Sequence, residues 1–253
     1  MHPFIYILNR QIPLYGLCIV IGVFIASSLL ILCCKKDHLC WENALIIGVT
    51  GLGFGLLGAK IFYIIISFTI ADIINILLNG NITLFLNGGF VFYGGLIGGF
   101  LGALLGTKIA NCKLSEYEDN LILIIPLVHF FGRIGCLCAG CCYGKPTTSA
   151  FGIIYKNPIG MTPIGIPLIP IQLYEALYNL LIFIFLFFIK KRKKEMVLPY
   201  YMILYAVGRF FIEFFRYDYF RGIYFGLSTS QIISIFIVII GLIIIVYRQK
   251  QTL

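Results

Sequence analysis

Seven stretches of this 253-residue chain stay apolar for about the length a helix needs to cross a bilayer, roughly 20 residues: 13–34, 43–69, 84–107, 119–138, 168–189, 197–215 and 228–247. Backbone N–H and C=O groups find no water inside lipid, so such runs are confined to helices that satisfy their own hydrogen bonds. Composition agrees. The chain is 60% hydrophobic and only 11% charged, with a mean hydropathy of +1.01, where a water-soluble domain carries about a quarter charged residues. The expected fold is all-α: one polytopic bundle of seven transmembrane helices, covering residues 1–253 as a single domain.

The basic residues orient the bundle. If the first span ends in the cytoplasm, the inner loops hold Lys35, Lys36, Lys108, Lys113, Lys190, Lys191, Arg192, Lys193, Lys194, Arg248 and Lys250, against Arg10, Lys145, Lys156, Arg216 and Arg221 outside. Positive-inside bias then places the amino terminus outside and the carboxyl terminus in the cytoplasm. Most of the net charge of +9 is accounted for in this way. The run KKRKK at 190–194 reads as an anchor touching anionic lipid rather than as a nucleic-acid patch. The first apolar run has no small-residue cleavage pattern and reads as a retained span, not a removed signal. The longest non-helical stretch expected is about 139–167, rich in Gly and Pro.

Three basic residues, Lys60, Arg133 and Arg209, fall inside the spans, as do the carboxylates Glu175 and Glu213. A charge within the bilayer is costly and needs a partner or a polar cavity. Arg209 and Glu213 are four apart and share a helix face. Two readings stand side by side: Arg133 pairs with Glu175 and Arg209 with Glu213 as locks of the bundle, or the set marks a substrate pathway. Tyr15, His129, Gln172 and Tyr174 lie toward the same outer half, as a site for a ligand with a polar head and greasy tails requires.

Glycines 94, 95, 98, 99, 102 and 106 recur at three- and four-residue steps, and Gly51, Gly55 and Gly58 do the same in the second span. Small-residue stripes of this kind let helices approach closely. Gly94 and Gly95, beside Tyr93, are instead expected where the third span begins to unwind. Four cysteines, Cys136, Cys138, Cys141 and Cys142, end the fourth span. A zinc site is not expected, because Cys138-x-x-Cys141 lacks a second knuckle. A redox pair of Cys138 and Cys141, and plain packing as small apolar side chains, both remain open.

GRIGCLCAGCCYG at 132–144 resembles the signature of the bacterial prolipoprotein diacylglyceryl transferases. IPLYGLCIVIG at 12–22, GLLGAKIFYII at 55–65, GGFVFYGGLIGG at 88–99, PIQLYEAL at 170–177, YAVGRFFIEFFRYD at 205–218 and LSTSQIISI at 227–235 are similar to further family segments, in the same order. Four positions depart from the family pattern: Tyr93 stands for a histidine, Cys136 for an asparagine, Cys141 for a glutamate and Ile169 for a histidine. Lys60 stands where arginine is usual.

The resemblance implies a multi-pass enzyme of the bacterial plasma membrane that moves the diacylglyceryl group of phosphatidylglycerol onto the lipobox cysteine of prolipoprotein signal peptides. No cofactor, metal or nucleic acid is implied. Such a reaction must hold a phosphate and deprotonate a thiol. Arginine suits the first task because its planar guanidinium grips phosphate oxygens in pairs and keeps its charge. The expected catalytic residues are therefore Tyr93, Arg133, Arg209, Cys136 and His129, with Tyr93 or His129 as the base and Cys136 as a nucleophile beside a cation. Tyr15, Lys60, Gly94, Gly95, Arg133, Gly144, Gln172, Tyr174, Glu175 and Glu213 are expected to bind substrate. Arg133 and Arg209 are expected to converge on one polar cavity open to lipid. A lipid transferase with another acceptor, and a non-catalytic lipid-binding or redox protein, are the alternatives.

Overall fold

The computed structural model describes residues 3–7, 10–86, 89–159, 162–192, 196–217, 223–224 and 226–251. Lys193, Lys194 and Arg221, used above for orientation, and Gly88 and Asp218 of the quoted motifs lie outside the described residues.

A short antiparallel hairpin, β1 (Phe4–Ile7) and β2 (Arg10–Pro13), leads into α1 (Leu14–Lys36). There follow α2 (Trp41–Ser67), α3 (Ile70–Leu78), α4 (Thr83–Leu86), α5 (Phe92–Ile109) and α6 (Leu114–Ala139). The two-residue strands β3 (Ile153–Ile154) and β4 (Pro167–Leu168) pair before α7 (Ile171–Arg192), α8 (Val197–Ile212) and α9 (Thr229–Gln251). Glu213–Phe215 adds a 3₁₀ turn to the end of α8. Among the described residues, six helices are long and apolar enough to cross a membrane, and Tyr93–Ile109 is a seventh, shorter apolar helix. Their outward faces carry large apolar side chains: Val20, Phe24, Leu181, Phe236 and Ile243 are all more than half exposed. Such a surface suits lipid, and the molecule is a polytopic membrane protein.

The chain divides into two compact units, Met1–Leu29 with Glu118–Leu253, and Leu30–Tyr117.

In the smaller unit, α2 and α5 lie against each other along their glycines. A Cβ on Gly58 or Gly98 would meet the backbone of the facing helix, and one on Gly102 would meet Thr50 and Phe54. Helix backbones in lipid gain contact only by such close approach. The expected third span, 84–107, is corrected here. Phe92 opens α5 behind Val91, which is extended and donates its N–H to the Ala59 carbonyl at 3.0 Å. The apolar residues before it are used elsewhere, in α4. The second span also ends sooner than the apolar run, because Thr69 caps a separate amphipathic helix, α3. Its side chain accepts from the Asp72 N–H, and Asp72 accepts from the Thr69 N–H in return, a capping box that satisfies two orphan donors.

In the larger unit, α1 lies against α6 where Gly22 leaves room for the Phe131 ring, and α7 lies against α8 where Gly208 leaves room for Tyr178. Tyr178 also donates its hydroxyl to the Leu204 carbonyl at 2.6 Å. Arg248, near the end of α9, pairs with Glu118, near the start of α6, at 2.8 Å. That pair and the basic end of α7, Lys190 to Arg192, mark the end of the unit opposite to its inner charges.

Candidate active site

Glu175, in the second turn of α7, is 3% exposed and is shared by three guanidiniums. Arg133 Nε of α6 lies 2.7 Å from its Oε2, Arg209 of α8 lies 2.9 Å from its Oε1, and Arg216 beyond the 3₁₀ turn lies 4.0 Å away. Glu213 holds the other arm of Arg209 at 2.8 Å. Ser230, in the first turn of α9, accepts from the same arm at 3.3 Å. A buried carboxylate is tolerated only with strong partners, and here Arg133, Arg209 and Arg216 supply them. Among the described residues three guanidiniums, those of Arg133, Arg209 and Arg216, gather on these two carboxylates.

The two arginines differ in how they are used. Arg209 spends both terminal nitrogens, one on each carboxylate. Arg133 approaches Glu175 through Nε, on the stem side. A guanidinium bound along that side keeps its outer edge, two parallel N–H vectors matched to phosphate oxygens.

Both arginines meet at Glu175. Arg209 lines a cavity of about 10 Å³ with His129, Glu175, Asn179 and Tyr205. That is room for about one water, not for a phospholipid head. His129 stands one helical turn before Arg133, its ring 5.4 Å from that of Tyr205.

Other expected site residues hold the frame. Gln172 is fully buried and donates to the Cys141 carbonyl at 2.6 Å and to the Tyr155 hydroxyl at 3.2 Å. There it supports the 140s loop. Burial pushes the Tyr155 hydroxyl up to about 12, so it serves as a neutral partner there. Gly144 pairs in an antiparallel bridge with Arg216, and a Cβ on it would meet the Ile169 carbonyl at 2.7 Å. It is the close approach that fixes Arg216 near Glu175. Tyr15 packs on Gly135 of α6 and is 41% exposed, and Tyr174 is 44% exposed; both have surface to offer a ligand.

Lys60, Tyr93, Gly94 and Gly95 belong to the smaller unit. Lys60 sits over the rings of Tyr63 at 5.3 Å and Phe90 at 4.8 Å. Tyr93, in the first turn of α5, is 37% exposed. Gly94 and Gly95 are inside α5 rather than at an unwound end, and the facing α2 fills the space beside both. Helix packing accounts for them.

The cysteines regroup relative to their spacing. Gly140 and Cys142 take φ of 73° and 59°, left-handed values that turn the chain back on the end of α6. The Cys141 N–H then reaches the Cys136 carbonyl at 3.2 Å. The sulfurs of Cys136, Cys141 and Cys142 all lie within 4.8 Å of one another. Cys138 faces elsewhere and hydrogen-bonds Cys18 of α1. The expected redox pair of Cys138 and Cys141 is thus not the pair that meets. Hydrogen bonds from the Cys136 and Cys141 thiols, with the fields of Arg133 and Arg216, pull the Cys142 thiol below its usual range. The Cys141 thiol is raised to about 11: its hydrogen bond with Cys136 acts downward, but that with Cys142 and burial outweigh it. Cys136 itself is 9% exposed.

Sequence reasoning missed Arg216 as a member of the cluster, assigning it to an outer loop. Its signal was its place three residues after Glu213 in YAVGRFFIEFFRYD. Ser230 and Tyr155 left no comparable signal.

The family model for prolipoprotein diacylglyceryl transferase matches residues 3–247. The chain is 40% identical to the phosphatidylglycerol–prolipoprotein diacylglyceryl transferase of Clostridium tetani, over 90% of each chain. It is 38% identical to the second such enzyme of Clostridium perfringens, over 94% of this chain and 91% of the relative. For the enzyme of Clostridioides difficile the figures are 32%, 94% and 91%. With its charged cluster built from the segments that carried the resemblance and the match running through both units, this chain belongs to the prolipoprotein diacylglyceryl transferase family.

Proposed function

We propose that this protein transfers the diacylglyceryl group of phosphatidylglycerol to the lipobox cysteine of prolipoproteins, the first step of bacterial lipoprotein maturation, in the plasma membrane. The observation that carries the reading is the Arg133 side chain, held through Nε by Glu175 with its outer edge left for a phosphate. The unbroken family match across both units supports treating residues 1–253 as one domain. The basic ends of α7 and α9, opposite the cluster, support an outer site, an external amino terminus and a cytoplasmic carboxyl terminus.

The reaction forms a bond between the cysteine sulfur and the glyceryl carbon as the carbon–oxygen bond to phosphate breaks. The electron pair leaves with the phosphate, as glycerol phosphate, and the thiol proton goes to a base. Arg133 grips the phosphate, and its guanidinium stabilises the charge that develops on it. Arg209, Arg216, Glu175 and Glu213 hold Arg133 in place. Tyr15, Tyr174 and Lys60 offer exposed or cationic surface to lipid and peptide. Tyr93 and His129 are the candidate bases: Tyr93 is partly exposed, whereas His129 lies beside Arg209 in the inner cavity.

Expression in cells depleted of their own transferase tests the function. Restored growth and lipidated lipoprotein are expected; a well-inserted protein that restores neither refutes it. Tyr93→Phe and His129→Gln, compared in the same cells, identify the base as the one whose loss abolishes transfer.

A further inference from the structure

Three of the nine cysteines stand apart from the rest. Cys136, in the last turn of α6, and Cys141 and Cys142, on the reversed turn after it, bring three sulfurs within 4.8 Å of one another. Two left-handed residues, Gly140 and Cys142, are needed to fold them together. Gln172 pins the turn by its bond to the Cys141 carbonyl. Four thiolates or imidazoles around zinc, or three with a water, sit at about 2.3 Å for sulfur, which puts the sulfurs about 3.8–4.0 Å apart. The trio needs to close by less than about 1 Å to reach that geometry.

We propose that Cys136, Cys141 and Cys142 form a binding site for one thiophilic metal ion of the Zn(II) or Cu(I) class. Soft thiolates select these ions over calcium or magnesium. Each metal–sulfur bond formed replaces an S–H bond, and the proton goes to solvent. Charge favours the site as well. Three thiolates with Zn(II) carry one net negative charge, and the guanidiniums of Arg133 and Arg216 act on Cys142. Among the described residues no His, Asp or Glu joins the trio, so the fourth zinc ligand is a water, or the ion is three-coordinate Cu(I). The ion staples the loop that carries Gly144, and through its bridge Arg216, to the end of α6. The readout of this site is binding.

The purified, reduced full-length protein in detergent, handled without oxygen, is titrated with Zn(II) against a coloured chelator and, in a second arm, with Cu(I) against its own chelator. Co(II) substitution reports thiolate ligands by its charge-transfer absorption. One equivalent is expected in the parent and in Cys138→Ser, with at least tenfold weaker binding in Cys141→Ser and Cys142→Ser. The melting midpoint is expected to rise with metal in the parent and not in Cys142→Ser. Preference for one arm assigns the ion. Binding in neither arm, or binding unchanged in both variants, overturns the site. Alkylation of the parent, read residue by residue by mass spectrometry, provides a test that needs no variant: metal must protect Cys141 and Cys142 and leave Cys138 as reactive as before, and equal protection of all three, or of none, overturns the proposal.

Discussion

Arg133→Lys separates gripping from locking. Lysine keeps the charge but has neither Nε nor a planar outer edge. The direct loss is one charge-assisted hydrogen bond to the phosphate, about 1.5–3 kcal/mol, or roughly 10- to 150-fold in kcat/KM at about 1.4 kcal/mol per factor of ten. The fold loses less, because Glu175 keeps Arg209 at 2.9 Å and Arg216 at 4.0 Å. About 1 kcal/mol of stability is expected to go, the ordinary cost of a substitution that leaves its carboxylate partnered. Arg209→Lys should show the reverse weighting. Its guanidinium bridges Glu175 and Glu213, both at most 5% exposed, and breaking a buried pair costs about 3–5 kcal/mol. Both variants are assayed in nanodiscs for transfer of labelled diacylglycerol to a prolipoprotein peptide, and by thermal melting. An Arg133→Lys protein within twofold of the parent in kcat/KM, or one less stable than Arg209→Lys, refutes the division of labour between the two arginines.

Gly144→Ala should destabilise the protein by about 1–3 kcal/mol, because its Cβ meets the Ile169 carbonyl; a melting midpoint unchanged from the parent would show that the 140s loop yields without cost. Cys142 should alkylate with a pH midpoint below that of an ordinary thiol, about 8.5, since a lowered pKa exposes thiolate at lower pH. Cys141, raised to about 11, should react only at higher pH, and a midpoint for Cys141 below that of Cys142 would contradict the assignment. Gly98→Leu should separate α2 from α5, because its side chain enters the Phe54 backbone; protein that still inserts and melts as the parent would show that the glycine stripe is not an interface.

The apolar runs sufficed for the membrane class and for six of the spans, because lipid leaves a chain no other way to satisfy its backbone. They also found the shorter apolar helix within 84–107 but not its start, because hydropathy does not register α4 or the tie of Val91 to Ala59 that precede it. Sequence motifs identified the family and named Arg133, Glu175, Arg209 and Glu213, since charge inside lipid is conspicuous in one dimension. They could not say which carboxylate serves which arginine. That depends on distances across α6, α7, α8 and the turn after it, and only folding brought Arg216 in and set Arg133 against Glu175 through Nε. The cysteines make the same point. Spacing singled out Cys138 and Cys141, but a helix sends Cys138 toward α1 and two left-handed residues return Cys141 and Cys142 to Cys136, because direction in space follows from backbone dihedrals and packing, which a spacing rule does not contain.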